Sequence, residues 1–312
     1  MNGRYRPGGT ANPTRAVGTC LLLAVGLLAS ACSEPPEESS PVSDSTIVIG
    51  SFDFTEGAIL SNLYAEVLRT SGFDVELESV ATREIMQPAL EQGFIDLVPE
   101  YQGTLLSFLH PESDAYTALD EEFALDVALE ERDLVALEAA PGQNQNVIVV
   151  TSETASEHNL ETISDLEDLA GEMVFGGPPE CPARPLCLKG LVDVYGLEFE
   201  SFQSLDAGGP LTLAALTGGE IDVGLMFGTD PAIDRDGLVV LTDDRDLQPA
   251  ENIVPVVRAD VLRGQREISE PLAKLSSRLT TETLRQLNSR VDDAGLTPQR
   301  AAVEWLEQEG LV

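Results

Sequence analysis

From Thr46 onward the chain alternates short β-rich runs with helical ones, and this alternation limits the fold more than any other feature. Residues 46–50 read as a strand. Residues 56–71 carry Ile59, Leu60, Leu63, Val67 and Leu68 at helical spacing and stop before Gly72. Over 73–79 the pattern switches to period two, with Phe73, Val75, Leu77 and Ser79 on one face and Asp74, Glu76 and Glu78 on the other. Thr82 opens a helix over 83–92 that ends at Gly93, and 95–98 follow as a short strand. A βαβαβ order implies a parallel sheet covered by helices.

A second unit starts near Asn146. Strands are expected over 147–150, 173–176, around Phe199, and over 221–226. Helices are expected over 164–170, after Arg184, and over 210–218. Residues 252–258 are strand-like again, and helical patterns run over 268–293 and, after Gly295, over 298–308 with Trp305 facing inward. The two units share a phrase. Leu90-Glu91-Gln92-Gly93-Phe94-Ile95-Asp96-Leu97 matches Leu216-Thr217-Gly218-Gly219-Glu220-Ile221-Asp222-Val223. In both, a helix stops at glycine and enters a strand through Ile-Asp. A glycine stop is common to αβ junctions generally, so the match alone leaves a repeated architecture and a shared local device both open.

The N-terminus has Arg4, Arg6 and Arg15 and no acid among its first thirty-three residues, then an apolar run over 16–31 that turns polar at Ser33. That is the pattern of a secretory signal, and it is shorter than the roughly 20 apolar residues of a membrane span. The sequence Leu28-Ala29-Ser30-Ala31-Cys32 resembles the lipobox of bacterial lipoproteins, whose cysteine becomes the lipidated first residue. Ala29 stands where leucine is commoner, and an ordinary cleaved signal is the alternative. Residues 1–31 are thus read as signal peptide and 32–45, rich in Pro, Ser and Glu, as a disordered tether. Cys20 falls within the signal. Cys181 and Cys187 remain, six apart in a Pro-rich turn. Export favours a disulfide between them over two free thiols, and a zinc site lacks further ligands nearby.

Net charge is −36, with 54 acids against 18 bases. Losing the signal would make the chain more acidic still. Such a surface repels nucleic acid and anionic lipid, and its even spread suggests solubility in high salt. Enzyme signatures are missing. There are two histidines, His110 and His158, with no HExxH, no G-x-S-x-G and no Walker loop. Gly208-Gly209-Pro210 lacks the lysine that a phosphate loop needs. Chance pairing among so many acids carries no catalytic signal. No enzyme activity, cofactor or metal is expected. A structural or adhesive lipoprotein would show repeats or long linkers, and none is seen.

Several phrases together resemble one family. Ile47-Val48-Ile49-Gly50-Ser51 with Phe54-Thr55-Glu56 is similar to the opening of osmoprotectant-binding proteins, the receptors of ABC importers for glycine betaine, choline and carnitine. Residues 90–103, 178–184, 190–197, 219–223, Thr229-Asp230 and 241–244 are similar to later segments in order, covering essentially all of the domain. The resemblance implies an α/β, type II periplasmic-binding-protein fold, with two lobes joined by two crossovers near Gln145 and Asn252 around a ligand cleft. Lobe 1 would be 46–144 plus 253–312, and lobe 2 145–252. It implies a small quaternary amine as ligand and the permease and ATPase subunits of an importer as partners. The receptor would be a monomer held to the membrane by its lipid. A receptor of the same fold for an amino acid or other polar zwitterion is the alternative.

Carried over position by position, the family's aromatic cage gives Tyr101 as the first tyrosine and Thr104 as a nearby hydroxyl. The other tyrosines fall on Asn146, Phe227 and Glu251. Phe52 stands where some members have a basic residue, and reads equally as a replacement ring or as core. Quaternary ammonium has no proton to donate, so aromatic faces hold it, each giving about 0.5–2 kcal/mol. Arg184 matches the arginine that grips a ligand carboxylate, with an ion pair to Glu180 as the alternative. Arg83 is either a site residue or the partner of Glu84 or Glu100.

Overall fold

The computed structural model describes residues 46–110 and 118–312. The expected signal, Cys32 and the tether lie outside the described residues. The first unit runs β1 (Ile47–Phe52), α1 (Thr55–Thr70), β2 (Val75–Val80), α2 (Arg83–Glu91), β3 (Leu97–Tyr101), α3 (Gln102–Leu109), α4 (Ala118–Glu130) and β4 (Leu134–Ala136). The second runs β5 (Asn146–Thr151), α5 (Ser152–His158), β6 (Val174–Gly177), α6 (Leu188–Tyr195), β7 (Ser201–Ser204), α7 (Pro210–Thr217), β8 (Val223–Phe227), α8 (Ala232–Arg235) and β9 (Leu238–Leu241). The chain then returns through β10 (Ile253–Arg258), α9 (Ala259–Gly264), α10 (Ser269–Ser276), α11 (Thr281–Asp292) and α12 (Pro298–Glu309).

The strands form two five-stranded sheets, ordered β2-β1-β3-β10-β4 and β7-β6-β8-β5-β9. The expected α/β architecture with two lobes is what the chain adopts, but the sheets are mixed and not wholly parallel. β10 runs antiparallel to β3 and β4, and β5 antiparallel to β8 and β9. The physical reason is the double passage between sheets. Each strand that enters from the other sheet comes in against the direction of its hosts. The two passing segments meet at an antiparallel bridge between Gln143 and Asn252.

The apolar stripe expected on α1 is real, with Ile59, Leu60, Leu63 and Leu68 fully buried against α10, α11 and α12 and Trp305 in the same core. One expected helix over 268–293 is instead two. Thr280 caps α11 by accepting from Thr283 N, and Leu279 O is taken by Gly142 N at 2.8 Å as the first passing segment docks there. The helix expected over 164–170 is only a 3-10 turn over Ile163–Leu166. β3 is displaced toward the C-terminus of its expected span because antiparallel pairing with β10 extends its order to Tyr101.

The repeated phrase is a repeated device. Gly93 and Gly219 both take positive φ (79° and 74°). The Asp three residues on then closes onto the neighbouring parallel strand, with Asp96 Oδ2 accepting from Val48 N at 2.9 Å and Asp222 Oδ2 from Val174 N at 2.8 Å. Each lobe thereby ties two neighbouring parallel strands together through one half-buried carboxylate.

Candidate ligand-binding site

The C-terminal ends of β1, β3 and β8 converge between the sheets. Four rings meet there. Phe54, on the turn after β1, lies 6.1 Å from Phe52, 6.2 Å from Tyr101 and 5.1 Å from Phe227, centroid to centroid. Phe227 ends β8 in the second sheet, so this cluster spans both lobes. Phe52 belongs to a core with Met86, Val98 and Leu105 and also carries the Arg83 guanidinium 5.3 Å above its ring. Phe52 is thus core, and it joins the ring cluster through Phe54.

Beneath the rings lies a buried carboxylate. Glu56, in the first turn of α1 and 3% exposed, accepts from Tyr101 Oη at 2.8 Å, Asn144 Nδ2 at 2.8 Å, Thr229 Oγ1 at 2.6 Å and Asn288 Nδ2 at 2.9 Å. Asn144 Oδ1 in turn accepts from Thr229 N at 3.3 Å. This hub ties the first lobe, the passing segment and α11 to the loop after β8. Tyr101's hydroxyl is fully committed to it. Burial, with the Glu56 carboxylate alongside, pushes the phenol well above the usual tyrosine range, so what Tyr101 has to offer a ligand is its face.

A second charged group sits along β3. Arg83 forks onto Glu100, with Nε 3.0 and 3.2 Å from its two oxygens and Nη2 2.7 Å from Oε2, and both side chains are buried. Of the partners weighed for Arg83, Glu100 is the one it takes. Glu251, on the return passage and 1% exposed, accepts a hydrogen bond from Thr104 Oγ1 through Oε1. Its Oε2 is buried with no hydrogen-bond partner. Burial pushes this carboxyl up to about 7, against the opposing pull of Thr104 and Arg83.

The other expected residues are placed differently. Asn146 lies opposite Phe227 in the β5–β8 register, and its amide donates to Leu186 O at 3.2 Å and toward Gln248 Oε1 at 3.4 Å. It braces its own lobe and does not extend the ring cluster. The partner of Arg184 is not Glu180. Its guanidinium grips Glu84 of α2, across the cleft, with contacts of 2.8, 3.0 and 3.1 Å, and lies 5.5 Å from the Phe108 ring. Nearby, Cys181 and Cys187 are joined by a disulfide, and Leu188 N donates to Cys181 Sγ at 3.2 Å. This fixes the turn that presents Arg184.

On the other flank a cleft of about 200 Å³ opens between Phe54, Glu56, Asn144, Gly208, Phe227 and Thr229. Gly208 has φ +69°, and a Cβ there would lie 3.1 Å from the Met226 backbone. The start of α7 in this wall is not free to hold an anion. Asp206 already accepts from Gly209 N, Leu211 N, Thr212 N and Thr212 Oγ1 at 2.8–3.1 Å. The missing lysine and this internal cap together explain why Gly208-Gly209-Pro210 is no phosphate loop.

Of the expected residues, then, Phe52, Tyr101 and Phe227 come together in one cluster, and Thr104 and Glu251 pair beside Arg83. Asn146 and Arg184 stand at the edges. Phe54, Glu56, Thr229 and Asn288 were not singled out from sequence. Phe54 and Glu56 sit inside the Phe54-Thr55-Glu56 phrase, which was the available signal.

Two mixed sheets, crossed twice by the chain and meeting over a ring-lined cleft, define a two-lobed binding protein of the type II periplasmic class. The solved structure of a glycine betaine/carnitine/choline ABC transporter protein superposes with a TM-score of 0.68 at 24% identity, covering 85% of this chain and 99% of that one. The chain belongs to the family described as the substrate-binding domain of ABC-type glycine betaine transport systems, whose profile matches residues 45–308. It is similar to the glycine betaine-binding protein YehZ of Escherichia coli (strain K12), 29% identical over 296 residues that span 91% of this chain and 95% of that protein. It is also similar to the carnitine transport binding protein OpuCC of Listeria monocytogenes serotype 1/2a (strain 10403S), 28% identical over 94% of this chain and 96% of that one. Members of the family are substrate-binding proteins that serve transport.

Proposed function

We propose that this chain captures a methylated-amine osmoprotectant of the glycine betaine, choline or carnitine type between its lobes and delivers it to the permease of an ABC importer. Lobe 1 would comprise 46–144 and 253–312, and lobe 2 145–252. The observation that carries this reading is the ring cluster Phe52, Phe54, Tyr101 and Phe227, assembled from both lobes at the ends of their strands, where ligands bind in open α/β sheets. Glu251 and Thr104 supply the polar end, Arg184 the rim, and Asn146 supports Phe227 from behind. The signal-like N-terminus and Cys32 support a receptor that is exported and anchored by lipid near the importer it would serve. A second reading, a receptor for a less methylated zwitterion such as an amino acid, is favoured by the open Glu251 oxygen.

A thermal-shift panel tests the reading on the purified protein, with betaine, dimethylglycine, choline, carnitine and common amino acids. A ligand at 100 times its Kd stabilises by about 2.7 kcal/mol, enough for a Tm rise of roughly 5 °C or more. Tyr101→Ala is expected to abolish that rise. If no methylated amine moves Tm at any salt concentration, the osmoprotectant reading is wrong.

A further inference from the structure

The Glu251 carboxylate is the feature that neither the fold nor the hydrogen-bond network accounts for. It is 1% exposed, one oxygen is engaged by Thr104, and the other faces no donor. Buried acceptors are almost always paired, so an orphan of this kind needs a reason. The nearest cation does not provide one. Arg83 is spent on Glu100 through three close contacts, and no ion pair joins it to Glu251. With Glu251 ionised, the cluster Arg83, Glu100 and Glu251 holds two negative charges against one positive. What would complete it is one positive charge that also brings an N–H.

We propose that Glu251 makes this receptor select ammonium ligands that keep at least one N–H, which donates to its open Oε2. The inference rests on the osmoprotectant reading above and narrows its ligand class. A trimethylammonium group carries charge but no donor, so it would leave Oε2 buried and unbonded. A dimethyl- or monomethylammonium satisfies both needs. Sites built around a buried hydrogen-bonding group discriminate against analogues lacking the complementary proton, because that group is then left unpaired. The rings fit this division of labour. Tyr101 Oη is consumed by Glu56 and the Phe52 face by Arg83. The faces of Phe54, Tyr101 and Phe227 therefore remain as the apolar contacts for the residual methyl groups.

Calorimetric titration of the purified protein with glycine betaine, N,N-dimethylglycine and sarcosine, and with choline and dimethylaminoethanol, tests the proposal. Within each pair the N–H compound is expected to bind at least about tenfold more tightly than its trimethyl counterpart. Glu251→Tyr is expected to reverse the order by replacing the acceptor with a ring. Glu251→Gln is expected to erase the preference, since its amide has only one acceptor and Thr104 holds it. Equal or tighter binding of the trimethyl compounds to the unaltered protein would overturn the inference while leaving the osmoprotectant reading intact. Binding of none of the five, nor of carnitine, would remove both. A preference for N–H ligands that survives Glu251→Gln would show that another group makes the selection.

Discussion

Glu56→Gln tests the core of the site most directly, because the substitution keeps the shape and changes only charge and bonding. The carboxylate accepts four hydrogen bonds between 2.6 and 2.9 Å. A glutamine oxygen retains two of these at most, and its NH2 is forced against the other two donors. Hydrogen bonds to charged groups contribute about 1.5–3 kcal/mol each. Losing two costs roughly 3–6 kcal/mol, and rotation of the Tyr101 or Thr229 hydroxyl to accept from the new NH2 recovers part. The expected loss is about 3 kcal/mol, a large share of the ~5–15 kcal/mol typical of a folded chain. Urea unfolding read by Trp305, the one tryptophan of the sequence and 9% exposed in the core that α1 helps to build, measures it. Since Thr229 reaches Glu56 from the second lobe, a double-mutant cycle with Thr229→Val should also show coupling of at least about 1 kcal/mol. A Glu56→Gln loss below about 0.5 kcal/mol, or no coupling with Thr229, would refute the view that this hub holds the lobes together.

Glu251 should also shape stability against pH. Its folded pKa of about 7 lies above the ordinary 4.5, so the folded state holds the proton more tightly. Stability from this group is then full below about pH 4.5 and is lost as pH rises toward 7, by roughly 3 kcal/mol at most. Asp230, raised to about 6 mainly by burial, acts in the same direction. Glu251→Gln is expected to flatten the fall in Tm between pH 5 and 8, with Arg83, Glu100 and Thr104 unchanged around it, and a profile parallel to the parent would disprove this assignment. Replacing both Cys181 and Cys187 by Ser opens a short loop, which should cost about 2 kcal/mol by loop entropy; an unchanged urea midpoint in oxidising buffer would show that the bridge does not brace the Arg184 turn.

The architecture was readable because its signals are local. β-branched runs at 47–50, 147–150 and 253–257, glycine stops at Gly93 and Gly219, and the buried stripe of α1 each declare themselves within a dozen residues. Elements without such signals were missed. α4 concentrates no apolar face, β4 is three residues long, and β9 is four residues after Gly237. The mixed order of the sheets was hidden as well, since a strand's direction depends on the path of a chain that crosses between lobes. At the site, the rings at Tyr101 and Phe227 were legible because they align with a familiar phrase. Glu56 lies in the Phe54-Thr55-Glu56 phrase, but nothing local marks it as buried: it is one acid among 54, and its partners Asn144, Thr229 and Asn288 lie 88 to 232 residues away. Asn146 and Arg184 occupy the expected positions in the chain, but Leu186 and Glu84 draw their side chains elsewhere.

The contacts that span the lobes differ in strength, and this decides what a ligand must do. Arg184 with Glu84, and Arg235 with Asp293, are partly exposed ion pairs on the flanks, each contributing about 0–1 kcal/mol. The buried middle is stronger, made of the Glu56–Thr229 hydrogen bond and the Phe54–Phe227 contact. Rings with centroids 5.1 Å apart touch directly. A methylammonium needs each ring centroid within about 6 Å of its nitrogen on its own side, so it cannot lie between these two until they part by several ångströms. A ligand held between these rings, as proposed, would require the lobes to part there, breaking the bonds of Thr229 to Glu56, Asn144 and Asn288 while Tyr101, Asn144 and Asn288 keep the carboxylate satisfied on the first lobe. Three retained donors make that opening far less costly than full loss of the hub. In such an opening the same carboxylate would keep Tyr101 in place and stand ready for Thr229 on closure.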